Sequence, residues 1–186
     1  IVSGTYICAA AVTRSQIVLE NPPEGELKAF LEVYRKMGGQ YKGNSGKLLV
    51  NGKNVQSPVK LLETGVYPGF PTDMQAQFMA MLTIADGTGL VTETVFENRF
   101  MHVDELKRMG ACIKVDGRTS IVEGVPSLNG CQVKATDLRA GAAMVLAGLV
   151  ANGETEVSYI HHIDRGYDNL VEKLCGLGAD ICRVDN

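Results

Sequence analysis

The sequence lacks a long hydrophobic run. Its longest apolar stretches, Ala140–Ala151 and Gln77–Ala85, fall short of the roughly 20 residues a helix needs to span a bilayer. No charged n-region precedes an apolar h-region, so no secretory leader is visible. Positive charge is scarce: 18 Lys and Arg stand against 21 Asp and Glu, for a net charge of −3. That balance excludes the basic field of a nucleic-acid binder, so an anionic ligand must be gripped by a few local cations. The five cysteines, Cys8, Cys112, Cys131, Cys175 and Cys182, are odd in number and form no CxxC pair. This argues against a zinc site or a disulfide framework and points to buried structural thiols in a reducing cytoplasm.

Nucleotide and hydrolase signatures are missing too. Gly46-Lys47 has no following Ser or Thr and lacks the required upstream glycine, Tyr41 standing in its place, so it is not a phosphate loop. Gly87-Thr88-Gly89 follows a helical stretch where a dinucleotide fingerprint needs a strand. No G-x-S-x-G elbow occurs.

What is present is a repeat. An apolar, Ala-rich stretch occurs three times, at Thr5–Thr13, Met74–Ala85 and Ala140–Ala151. Each is followed by a break, a β-branched run (Ile17–Leu19, Val91–Phe96, Val157–Ile160) and a mixed helical stretch. Those helices stop at Gly38, Gly110 and Gly178, a period of about seventy residues. The period predicts one domain over 1–186, in units of roughly 1–60, 61–127 and 128–186.

Two kinds of helix alternate. In Glu24–Met37, Leu27, Phe30, Leu31 and Tyr34 share one face, and Leu170, Val171, Leu174 and Leu177 do so in the third unit; these are amphipathic surface helices. The Ala-rich helices have no polar face and must be buried all round. Lys47–Asn51, Cys112–Asp116 and Thr119–Glu123 partly alternate, as strands with one wet face do. Asn51-Gly52 and Asp116-Gly117 read as hairpin turns. The implied fold class is α/β (α+β), an inside-out barrel of three βαβαββ-like repeats with the helices inside and the sheets outside.

Two of the buried helices begin alike, at Pro71-Thr72-Asp73-Met74 and Ala135-Thr136-Asp137-Leu138-Arg139. Thr-Asp ahead of an apolar helix is an N-terminal signature, and such a terminus attracts anions. Arg139 falls in the first turn, where a cation opposes the helix dipole. It pairs either with a carboxylate, Asp137 or another, or with a phosphate or carboxylate ligand. Asp73 is either a helix cap or a base and hydroxyl acceptor at the same end of the core. Arg99 and Arg165 hold matching places in units two and three, each followed closely by an aromatic residue, and serve either in structural salt bridges or at a site. His161 and His162 are neighbours that should point apart, with no third ligand at metal spacing.

Four longer segments, Pro71–Phe78, Thr92–His102, Ala135–Ala140 and His162–Tyr167, resemble the motifs of bacterial UDP-N-acetylglucosamine enolpyruvyl transferases. The resemblance runs over essentially the whole chain and is strongest from Pro68 onward. It implies a metal-free and cofactor-free cytoplasmic enzyme that transfers the enolpyruvyl group of phosphoenolpyruvate to UDP-N-acetylglucosamine and releases phosphate, opening peptidoglycan synthesis. Two domains of three units each enclose the substrates. By position, the resemblance makes Asp73 the proposed base on the sugar hydroxyl. Val95 becomes a backbone contact to the UDP-sugar, Arg139 and Arg165 the grip on phosphoenolpyruvate, and Arg99 a further cleft arginine. The loop with the reactive Cys or Asp, a lysine near phosphoenolpyruvate and a first N-terminal strand have no counterpart here, and Gly141-Ala142-Ala143 replaces a Ser-containing helix start. The chain is therefore expected to be one of two domains, cut from a longer protein and inactive alone, with an exposed interdomain face able to self-associate. No nucleic acid or membrane is expected as a partner. A shikimate-type enolpyruvyl transferase with the same fold is the alternative enzyme, and a standalone binding domain the non-enzymatic one.

Overall fold

The computed structural model describes residues 1–185. Three helices form its centre: α1 (Val2–Val12), α3 (Gln75–Leu82) and α5 (Leu138–Gly148). They pack on one another, and all eight residues of α3 are buried. A helix without a polar face has no stable surface position, so the sequence places these three inside.

Two amphipathic helices cover the centre, α2 (Glu24–Lys36) and α4 (His102–Arg108), with the short α6 (His161–Asp164) and α7 (Leu170–Gly176) in the last unit. In α2 the buried residues are Leu27, Phe30, Leu31 and Tyr34, the face read from their spacing. Glu24 and Glu26 lie in its first turn, and Arg35 and Lys36 in its last, each complementing the helix dipole. Helices α2, α4 and α7 all stop at a left-handed glycine: Gly38, Gly110 and Gly178 have φ of +102°, +92° and +99°. In each case the next residue's N–H reaches back to close the last turn, Gly39 to Tyr34, Ala111 to Leu106 and Ala179 to Leu174, at 3.0–3.1 Å. In α7, Leu170 and Leu174 are buried, but Leu177 is 57% exposed because it stands at the C-cap, past the packed face.

Three sheets back the helices. Strands β1 (Gln16–Glu20), β2 (Gln40–Asn44) and β3 (Lys47–Asn51) form an antiparallel sheet in the order β1-β3-β2. Strands β4 (Leu61–Glu63), β5 (Thr88–Thr92), β6 (Cys112–Asp116) and β7 (Thr119–Glu123) form one in the order β4-β5-β7-β6, with β4 parallel to β5. Strands β8 (Gln132–Lys134) and β9 (Glu156–Ser158) pair in parallel. Alternation is plain in β3, where Leu48 and Val50 point inward and Lys47 and Leu49 outward. Unit two alone carries the full βαβαββ order among the described residues; Ala179–Asp185 form no strand.

Three local expectations need correction. Asn51-Gly52 is not a hairpin: the β2–β3 turn lies at Ser45-Gly46. Gly52 instead lets β3 leave against α1, where a Cβ would sit 2.4 Å from the Ala10 carbonyl oxygen. The second β-branched run stops being strand at Thr92, because the next residue turns its side chain into a hydrogen-bonded knot. Only Cys8 of the cysteines is buried among the described residues, and burial pushes its thiol well above the ordinary range. Cys112, Cys175 and Cys182 are exposed: Cys112 starts β6, Cys175 lies within α7 beside buried Leu174, and Cys182 follows that helix.

Candidate active site at the rim of the buried helices

The two similar helix starts behave differently. Asp137 is a true N-cap: its backbone is extended (φ −157°) and its Oδ1 accepts from the N–H groups of Arg139 at 2.7 Å and Ala140 at 2.9 Å. Asp73 caps nothing. Pro71, extended at φ −69° and ψ 126°, takes the cap place, and Asp73 falls inside a short 3-10 turn, Thr72–Met74, that precedes α3. The turn is anchored from behind by Phe70, whose ring meets Phe78 of α3 edge-on at 5.3 Å and Phe30 of α2 at 5.9 Å. Such pairs contribute about 0.5–1.5 kcal/mol each beyond burial.

The freed Asp73 carboxylate joins two arginines. Its Oδ1 accepts from Arg139 Nε at 2.6 Å and from Arg99 Nη1 at 3.1 Å. The side chains of Asp73, Arg139 and Arg99 are 47%, 31% and 20% exposed, so the cluster opens to solvent. Partial burial raises the Asp73 pKa, but the hydrogen bonds and charges of Arg139 and Arg99 outweigh it and hold the carboxyl below its ordinary value. The Arg99 guanidinium also lies 3.9 Å from the centre of the Phe96 ring. A hollow of ≈ 550 Å³ beside Asp73 is lined by Leu27, Phe30, Tyr67, Pro71 and Met74 among others.

Arg165 follows α6 as its C-cap and is exposed, with no ion pair among the described residues. Its backbone stands beside the first turns of α5. A Cβ on Gly166 would lie 2.7 Å from Leu138 Cδ2, and one on Gly141 would lie 2.5 Å from Ile163 Cγ1. Gly141 is thus the residue that lets α6 approach. Val95 lies in the loop between β5 and α4 and is 38% exposed. Its N–H is occupied by Glu93 at 3.0 Å, and its carbonyl accepts no hydrogen bond among the described residues. His161 and His162 do not point apart: their ring centroids lie 4.1 Å from each other, with the planes tilted by 38°.

Beneath the rim, the Tyr167 hydroxyl lies 2.8 Å from Thr5 Oγ1, and Gln77 Nε2 lies 3.4 Å from both oxygens. This polar node ties α1 and α3 to the third unit. Glu93 is the residue that sequence reading missed. It is 1% exposed, and its one sequence signal is a carboxylate in the inward phase of a strand, in step with buried Gly89 and Val91.

Three buried helices, backing sheets and an open arginine–carboxylate rim define the class, an α/β domain with its charged cluster at the helix starts. The chain belongs to the EPSP synthase (3-phosphoshikimate 1-carboxyvinyltransferase) family, whose model matches residues 1–174. It is 53% identical over 182 residues to UDP-N-acetylglucosamine 1-carboxyvinyltransferase 2 of Clostridium tetani, covering 98% of this chain and 43% of the relative. Among solved structures, it resembles the enolpyruvyl transferase NikO from Streptomyces tendae with a TM-score of 0.84 and 29% identity, over 96% of this chain and 42% of that one. EPSP synthase from Acinetobacter baumannii shares the fold, with a TM-score of 0.67 at 24% identity over 90% of this chain and 42% of that one. The chain spans less than half the length of the curated relative it matches.

Proposed function

We propose that residues 1–186 are one domain, in units of 1–60, 61–127 and 128–186, of a cytoplasmic UDP-N-acetylglucosamine enolpyruvyl transferase acting in peptidoglycan synthesis. The single observation behind the mechanism is that one oxygen of Asp73 is shared by Arg99 and Arg139 on a half-open rim. The names of relatives such as that of C. tetani support the acceptor. The arginines support an anionic donor, phosphoenolpyruvate.

In this reading the sugar hydroxyl attacks C2 of phosphoenolpyruvate while the methylene carbon takes a proton, giving a tetrahedral adduct. Loss of phosphate, with a proton leaving the new methyl group, restores the double bond. Arg139 and Arg165 neutralise phosphate and carboxylate, a preorganised electrostatic role. Arg99 steadies Asp73, and the Val95 carbonyl accepts from the nucleotide sugar. Asp73 takes the hydroxyl proton, a step that general base catalysis accelerates by about 10²–10⁴-fold.

A carboxylate pinned by two guanidinium groups is a weak base. Arrival of the anionic donor at Arg139 competes with Asp73 and raises its basicity while Arg99 still holds it, so the base is stronger when the donor is present. The test is phosphate release from phosphoenolpyruvate and UDP-N-acetylglucosamine by the full-length two-domain protein, with the isolated chain as control. Release by the full-length protein and none by the chain is expected. Release with shikimate 3-phosphate in place of the nucleotide sugar, or turnover by the chain alone, would overturn the assignment.

A further inference from the structure

We propose that Glu93 is a positioning residue, whose two carboxylate oxygens clamp the Asp73 turn and the Val95 loop into one register for the sugar acceptor. The proposal rests on the transferase reading above. Glu93 is a buried carboxylate without an ion pair among the described residues. Such a charge is costly unless donors replace its hydration. Five donors do so; four divide between the loop and the turn, and the fifth, Thr64, follows β4. Oε1 accepts from the Val95 N–H at 3.0 Å, the Phe96 N–H at 3.2 Å and the Thr64 hydroxyl at 2.8 Å. Oε2 accepts from the Thr72 hydroxyl at 2.9 Å and, more distantly, from Gln75 Nε2 at 3.4 Å.

One oxygen therefore serves the loop that presents the Val95 carbonyl. The other serves the turn whose middle residue is Asp73. Gln75 extends the turn side, since its Nε2 also lies 3.4 Å from the Arg99 carbonyl oxygen. The base and the backbone acceptor proposed for one sugar are thus set at a fixed spacing by a single rigid group. Arg139 and Arg165, on the proposed donor side, share no hydrogen bond with these five partners among the described residues.

The division makes Glu93→Gln selective. An amide has one acceptor oxygen, and the two backbone N–H groups cannot turn, so that oxygen belongs on the loop side. The new NH₂ then faces Thr72 and Gln75: the Thr72 hydroxyl can turn to accept from it only in a weaker neutral bond, and the Gln75 amide loses its acceptor, so the Asp73 turn alone is loosened. Thr72→Val cuts the same link without touching Glu93. In the full-length transferase both variants should lower kcat by roughly 10- to 100-fold, the scale of a misplaced reacting group, with the KM for phosphoenolpyruvate unchanged. On an Asp73→Asn background neither should lower kcat further. An equal loss on that background, or a raised phosphoenolpyruvate KM at unchanged kcat, overturns the proposal.

If Glu93→Gln fails to fold, Thr72→Val carries the same comparison. A readout without turnover is the Asp73 carboxylate titration followed by NMR. Its pKa should rise toward the ordinary value in both variants as the pairs with Arg99 and Arg139 loosen, and an unmoved titration also overturns the proposal. Should the wild-type protein release no phosphate while that titration still responds, the transferase reading fails and takes the sugar-acceptor role with it, leaving only a Glu93 that sets the Asp73 turn.

Discussion

Thr72-Asp73 and Thr136-Asp137 open two buried helices with the same dipeptide, yet only the second aspartate caps its helix. The difference lies one residue upstream. Ala135 lets Asp137 take the extended backbone that aims a carboxylate at the N2 and N3 amides. Pro71 occupies the extended place itself, and Asp73, two residues on, is already in helical turn. Its carboxylate faces outward, where Arg139 meets it from α5. One Thr-Asp caps its helix and the other leaves its carboxylate to two arginines.

Breaking each aspartate separates the roles. Asp73→Asn in the full-length transferase should lower kcat by about 10²–10⁴-fold, with little change in thermal midpoint, because no cap is lost. Asp137→Ala should cost about 1 kcal/mol of stability, measured by denaturant unfolding. Equal destabilisation by Asp73→Ala would erase the distinction.

His102 sharpens the comparison, because it sits between the two helices. Its Nε2 lies 3.2 Å from Met79 Sδ of α3, its ring is near Phe100, and Asp137 acts on it through space. Burial lowers its pKa to about 4, which Asp137 only partly opposes. The unfolded chain protonates this imidazole below its ordinary value of about 6.5, while the folded one resists until about 4. Stability should therefore fall as pH drops from 6.5 to 4, by up to about 1.4 kcal/mol per unit, and level off below. Replacing His102 with Gln should flatten that slope, and an unchanged slope would move its origin to another group.

Much of this arrangement is legible in the sequence. The three apolar helices are visible because nothing polar interrupts them, and the α2 face because Leu27, Phe30, Leu31 and Tyr34 recur at helical spacing. The stop glycines are visible because few other residues accept positive φ. The meeting of Asp73 with Arg139 and Arg99 is not legible, since it depends on two units packing with their helix starts adjacent. A cap and an outward-facing carboxylate share one local pattern, and only the backbone at Pro71 separates them. Glu93 is hidden for a similar reason: in the chain it is one acid among 21 Asp and Glu, and its meaning comes from donors 29 residues before it in Thr64 and three after it in Phe96.

The smallest effect tests the idle state of the rim. Asp73 has a lowered folded pKa, so its pairing adds stability that is fully present above the ordinary carboxylate value near 4 and is lost as pH falls through the folded pKa. The side chain is nearly half exposed, so solvent screening keeps the contribution to the scale of a surface pair, a fraction of a kcal/mol. Its identity is read best by linkage. Saturating phosphoenolpyruvate should raise the Asp73 pKa, because the donor takes Arg139 from it. By reciprocity, protonating Asp73 frees Arg139, so the donor binds more tightly as pH falls toward 4, to the extent that its own anions stay ionised. Arg139→Lys should shrink both effects, since an ammonium cannot hold Asp73 in the same Nε geometry. Donor binding that leaves the Asp73 titration unmoved would mean the pair persists in the complex. Asp73 would then act by holding Arg139 in place, and the base would have to be sought elsewhere.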